Sequence, residues 1–242
     1  MMSSYDHSSL INRTSDNKIR NMDLMEAIGA RHSVRAYQER KLEQGVKAEM
    51  QSVIAECNAE SGLHLQLVTD EPKAFQCFLA RYGKFSGVTN YIAMVGKDCE
   101  TLDEKCGYYG QKIVLRAQQL GLNTCWVGLS YTKVDSAFEI AEGEKLRLVI
   151  AVGYGKTQGA KHKVKKFEDV AKGDSPAPEW FKRGVEAALL APTALNQQKF
   201  TFTLKGNVVI ARAGHGFYTK VDLGIVKRNF EIGAGTDNFR WG

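Results

Sequence analysis

The chain has 242 residues, 43% hydrophobic and 25% charged, with a net charge of +6. That balance suits a globular chain with a sizeable core and excludes a collagen-like or Pro-rich linker protein. No run approaches the ~20 apolar residues needed to span a bilayer.

The first 20 residues are polar and lack the apolar stretch of a secretory signal, so they read as a flexible tail or an expression remnant and the expected compartment is cytoplasmic. Asp23, with Glu26 three residues on, is a capping box that predicts a short helix ending near Gly29. A second helix is predicted from Gln44 to Cys57. Leu63, Leu65 and Leu67 alternate as a half-buried strand. Tyr91–Gly96 reads as a buried strand. Glu104–Leu120 is the longest helical pattern, with Gly121 placed to cap it. Thr124–Leu129 and Leu146–Gly153 read as central strands. A Gly- and Lys-rich stretch with two prolines follows. Beyond it come a helix at Glu179–Leu190, a hairpin turning at Gly206-Asn207, and a last helix at Lys220–Ala234. Strands and helices mix without strict βαβ alternation, which predicts an α+β fold.

An internal echo runs through the chain. Glu104–Ala117 can be laid on Val221–Ala234, which puts Gly107 on Gly224. Val53–Leu67 similarly lies on the segment from Leu190, and the aligned loops differ: Pro192, Thr193 and Asn196 stand opposite Ala55, Glu56 and Ala59.

Four segments could carry chemistry. In ARHSVRAY, Arg31 and Arg35 bracket Ser33, beside His32, a set that suits a phosphate or forms a solvated basic turn. APTALNQQKF offers Asn196, Gln197 and Gln198 to the edge of a uracil-like ring, or is a surface loop. In GLNTCWVGL, Gly128 would let a flat ligand approach the backbone; the alternative is a tightly packed buried strand. The run KHKVKK, residues 161–166, either faces solvent or folds back onto an anion.

Other motifs fail. A P-loop would need glycine at position 150, which is Ile150. There is no nucleophile elbow and no paired-histidine spacing, so no metal site is expected. The five cysteines are odd in number and lack a C-x-x-C pair, which points to reduced, structural thiols.

Taken together, MDLMEAIGARHSVRAY, GLNTCWVG, LVIAVGYG with its basic stretch and FEDV, and APTALNQQKFTF resemble the FMN-dependent nitroreductase family. The resemblance implies a nitroreductase-like α+β fold, a mixed and mainly antiparallel sheet surrounded by helices. Family members are usually homodimers with FMN at the subunit interface. The implied cofactor contacts are Arg31, His32, Ser33 and Arg35 from one side, and Pro192, Thr193 and Asn196 from the other. Trp126, Val127 and Gly128 would lie near the flavin ring, and Lys163 or Lys165 would reach the phosphate.

This order departs from the family's. The Pro-Ser-x-x-Asn loop normally follows the arginine segment in the first half, and here it occurs only in the echo, with Thr for Ser. The expectation is a fused pseudo-dimer: residues 1–20 a tail, 21–174 a first nitroreductase-like half, and 175–242 a truncated second half that completes one flavin site. The implied activity passes hydride from NADH or NADPH to FMN, then electrons to a nitroaromatic or quinone-like small molecule, with no obligatory side-chain acid or base. The alternatives are a flavin-binding or redox-sensing protein without efficient turnover, and a basic nucleic-acid module, which lacks the aromatic-rich basic stripe it needs. No nucleic-acid or membrane partner is expected. The assembly expected is a monomer or a weak homodimer.

Overall fold

The computed structural model describes residues 22–242, so the expected tail, residues 1–20, lies outside the described residues. The capping box forms: Glu26 N donates to Asp23 Oδ1 at 2.8 Å, and Asp23 N to Glu26 Oε2 at 3.0 Å. The helix it opens, α1 (Leu24–Ala30), runs past Gly29 and gives way to extended backbone at Arg31. It ends there because the chain turns to lie along a strand. Ser33 makes a parallel bridge with Thr124, and Val34 N donates to Thr124 O at 3.0 Å.

The next elements follow the sequence pattern with shifted ends: α2 (Gln44–Ser61), β1 (Gln66–Val68), β2 (Tyr91–Lys97), α4 (Leu102–Gln119), β3 (Asn123–Val127) and β4 (Glu144–Gly153). A short helix, α3 (Phe78–Tyr82), precedes β2. The alternating strand is shorter than its pattern. Leu63 and Leu65 are buried but unladdered, and only residues 66–68 pair with β2. These strands form an antiparallel sheet in the order β1-β2-β4-β3. One face of β2 and β4 packs Ile92 and Ile150 into the main core, and the other packs Ala93 and Val149 against Tyr37 and Phe75. Burial on both faces explains the continuous apolar runs of these strands.

The second sheet is mixed. It contains β5 (Ala171–Gly173), β6 (Phe200–Lys205), β7 (Val208–Ala213) and β8 (Arg240–Trp241) in that order. The pairs β5–β6 and β7–β8 are parallel, and β6–β7 is the expected hairpin. The helices α5 (Phe167–Val170), α6 (Glu179–Leu189) and α7 (Thr219–Ala234) belong to this part. The α+β class holds, with the strands divided between two sheets.

Helices α4 and α7 join the two sheets. A Cβ on Gly107 would lie 2.0 Å from Val221 O, and one on Gly224 would lie 2.0 Å from Glu104 O. Each glycine thus lets the other helix's backbone come close, and the contact is reciprocal. Ile113, Val226 and Phe230 continue this seam into a core shared by both parts. All five cysteines are free thiols. No helix among the described residues is long and apolar enough to cross a membrane.

Candidate functional site

A cavity of about 760 Å³ opens between the two parts of the chain. The extended arginine segment and the end of β3 supply one wall, with Ser33, Arg35, Trp126, Val127 and Gly128. The loop after α6 and the first turns of α7 supply the other, with Pro192, Thr193, Tyr218 and Asp222. Seven of the sequence-predicted residues therefore meet at one place, although positions 33 and 193 are far apart in the chain.

Arg31 lies behind this wall, near Cys125, which itself lines the cavity. Its side chain is 3% exposed, and burial pushes it down to about 10. Nη1 of Arg31 has no hydrogen-bond partner, and neither do the buried His32 Nδ1, Thr124 Oγ1 and Trp126 Nε1. Leaving one such group unsatisfied costs about 1–3 kcal/mol, so the buried Arg31 guanidinium behind the cavity wall is the group here that most needs a polar partner.

The basic run, residues 161–166, is mostly exposed, and its first residues, Lys161 and His162, lie near His32 in the arginine segment. Gly159 packs so closely on His32 that a Cβ there would lie 2.7 Å from His32 Cβ. Burial, together with the positive charges of Arg31, His162 and Lys161, holds the His32 imidazole below its ordinary value. Lys163 and Lys165 are placed differently. The Lys163 carbonyl accepts from Asn196 Nδ2 (2.8 Å) and Gln198 Nε2 (2.7 Å), while Lys165 Nζ donates to Gln198 O at 2.8 Å. These two lysines tie the 193–198 loop down. Asn196 does not line the cavity, because its left-handed backbone (φ 53°) aims the side chain at Lys163.

Gly128 has a flat group against it, and that group is the Tyr218 ring. A Cβ on Gly128 would lie 2.4 Å from Tyr218 Cε2, and the Tyr218 hydroxyl donates to Gly128 O at 3.1 Å. The Arg147 guanidinium sits 4.4 Å over the same ring. Tyr218 and Asp222 were not among the sequence candidates. The available signal was Asp222, a lone carboxylate inside the apolar stretch VDLGIV.

The family model described as "Putative TM nitroreductase" matches residues 23–234. The chain belongs to this nitroreductase family. The crystal structure of a "putative nitroreductase" from Thermotoga maritima MSB8 is 22% identical with a TM-score of 0.63, covering 87% of this chain and 83% of that one. This likeness shows that the nitroreductase-family fold extends over most of the chain. A nitroreductase with bound FMN from Bacteroides fragilis NCTC 9343 is 21% identical, with a TM-score of 0.42 over 60% of this chain and 94% of that one. A "Putative NADH dehydrogenase/NAD(P)H nitroreductase" from Parabacteroides distasonis ATCC 8503 is 20% identical, with a TM-score of 0.48 over 61% of this chain and 95% of that one. Among curated proteins none matches.

Proposed function

We propose that this nitroreductase-family chain is an FMN-dependent oxidoreductase that takes hydride from NADH or NADPH and reduces a nitroaromatic or quinone-like small molecule. The observation that carries this reading is the buried Arg31 guanidinium, whose Nη1 lacks a partner behind a cavity walled by both parts of the chain. FMN fits the donor set. Its phosphate carries about −1.5 to −2 charges, and Arg31 and Lys161 supply positive charge beside the His32 ring. Ser33 and Arg35 would hold its polar side. Val127, Leu148 and Ile225 would keep water from the ring, and Pro192 and Thr193 would close the opposite wall. When bound, FMN supplies the two-electron hydride chemistry, and the chain positions it and tunes its surroundings.

The same reading takes residues 21–174 and 175–242 as a first half and a truncated second half of one pseudo-dimer. The reciprocal contact of Gly107 and Gly224, the two positions paired by the sequence echo, supports it. A second reading, a flavin-binding or redox-sensing protein without efficient turnover, is favoured by the Tyr218 ring lying over Gly128. The deciding measurement is the visible spectrum of purified protein. Yellow protein whose flavin is released on denaturation, bleached anaerobically by NADH or NADPH and restored by a nitroaromatic or quinone, supports the enzyme. Bound flavin reduced by neither nucleotide supports the sensor. Colourless protein that takes up no FMN on reconstitution sinks both.

A further inference from the structure

Asp222 is the one carboxylate in the wall of the cavity among the described residues, and it is 3% exposed. Its two oxygens face the loop that forms the wall. Oδ1 accepts from Ala194 N at 2.9 Å, and Oδ2 from Gln197 Nε2 at 2.8 Å. Gln197 Nε2 also donates to Phe217 O at 2.8 Å, which ties the loop to the entry of α7. The loop needs such restraint. Leu195, Asn196 and Gln198 all take left-handed backbone, with φ of 52°, 53° and 46°, and none is glycine. Asn tolerates that conformation, but Leu and Gln hold it only when their surroundings impose it. Lys163 and Lys165 restrain the loop on one side, and Asp222 restrains it on the cavity side.

The charged neighbours do not neutralise Asp222. Lys199 lies beside the Gln197 carboxamide oxygen near Gly216. Arg35 and Lys84 line other parts of the cavity. Tyr218, with Arg147 over its ring, stands at the entry of the helix, and Lys220 lies two residues before Asp222 within it. None of them makes an ion pair with Asp222 among the described residues. Burial therefore dominates and raises the carboxyl to about 6, while the bonds from Ala194 and Gln197 oppose that rise.

We propose that Asp222 is a positioning residue whose ionised carboxylate holds the 192–197 wall in its ligand-binding form, so that acidification loosens the wall and releases bound flavin. Protonation puts a hydrogen on an oxygen that now faces an N–H donor, and one of the two restraints is lost. The flavin part of this proposal rests on the function proposed above. Acid unfolding acts in the opposite direction at this group. A folded value above the ordinary carboxylate value means that protonation of Asp222 favours the folded chain, so its contribution to stability grows as pH falls through about 6.

The test has two arms. In the first, FMN affinity is followed by flavin fluorescence from pH 8 to pH 5 for the natural chain, Asp222→Asn and Gln197→Ala. Both variants should bind FMN more weakly at pH 8. The natural chain should then lose about tenfold more affinity than Asp222→Asn on going to pH 5, one unit below the titration midpoint. The Asn curve retains the titrations of His32 and the FMN phosphate, and the difference isolates Asp222. Parallel curves overturn the proposal. The second arm follows hydrogen exchange of residues 192–198 in flavin-free protein. Protection of the Ala194 amide, corrected for the intrinsic rate, should drop below pH 6 in the natural chain and stay flat in Asp222→Asn. Unchanged protection in the natural chain overturns the proposal. A chain that takes up no FMN defeats the flavin reading alone, and the exchange arm then decides the role of Asp222.

Discussion

Arg31 combines two opposed properties. Its guanidinium is buried with Nη1 unpartnered, which is costly in the flavin-free chain, and an anion would relieve that cost. Replacing it by Met should therefore separate stability from binding. Arg31→Met is expected to raise the urea stability of the flavin-free protein by about 1 kcal/mol or more. The same change should weaken FMN binding by about 10- to 150-fold, the equivalent of a charge-assisted bond of ~1.5–3 kcal/mol. Equal FMN affinity in the variant would remove Arg31 from the site. His32 reports on the same place. Burial and the charges of Arg31, His162 and Lys161 favour its neutral ring, so stability is lost as pH falls from the ordinary histidine value through the lowered one of the folded chain. Adding inorganic phosphate should raise the His32 midpoint in an NMR titration, and a midpoint that phosphate leaves unmoved would argue against an anion there. Arg31, Ser33 and Arg35 stood out in the sequence because two guanidinium groups and a hydroxyl, all able to bind phosphate, fall within five residues. Asp222 did not, because what gives it a role, Ala194 and Gln197, lies more than twenty residues away.

The helix pair α4 and α7 shows the same contrast between elements. Both helices were readable from their apolar period, and the Gly107–Gly224 correspondence from the echo. That the two glycines touch each other's helix across one seam needed the structure. Gly107→Ala and Gly224→Ala should each destabilise by about 1–3 kcal/mol, since the new methyl meets backbone that cannot step aside. The double variant should cost less than the sum, because helices already forced apart accommodate the second methyl. Gly45→Ala, with nothing within 4 Å, should be neutral or stabilise by up to about 1 kcal/mol. Strict additivity in thermal or urea unfolding would contradict a shared seam. Elements β5 and β8 went unread for a simple reason. They are three and two residues long, and their parallel pairing with β6 and β7 leaves no local pattern.

At the scale of the whole molecule, the cavity exists only where the two parts meet. The first contributes Ser33, Arg35 and the end of β3, and the second contributes Pro192, Thr193 and the start of α7. The proposed pseudo-dimer places both walls of one flavin site in a single chain, and its oligomeric state tests that proposal. Light scattering coupled to gel filtration should therefore find particles of about 26.9 kDa that each carry one flavin. A flavin-bearing dimer that loses its flavin on dilution to monomer would show instead that a second copy completes the site. Net charge of +6 acts at this scale too, and Arg31 and Lys161, both beside His32, show where part of it gathers.

The sequence by itself determined the α+β class, the principal helices and strands, and the segments that wall the cavity. Those features are set by local periodicity, capping and the spacing of a few polar side chains, all of which act within a dozen residues. Only the tertiary structure decided which lysines approach His32 and which restrain the loop, that the Tyr218 ring lies over Gly128, and that Asp222 holds the opposite wall. These depend on burial and on left-handed backbone in residues 195–198, which no local pattern of side chains encodes.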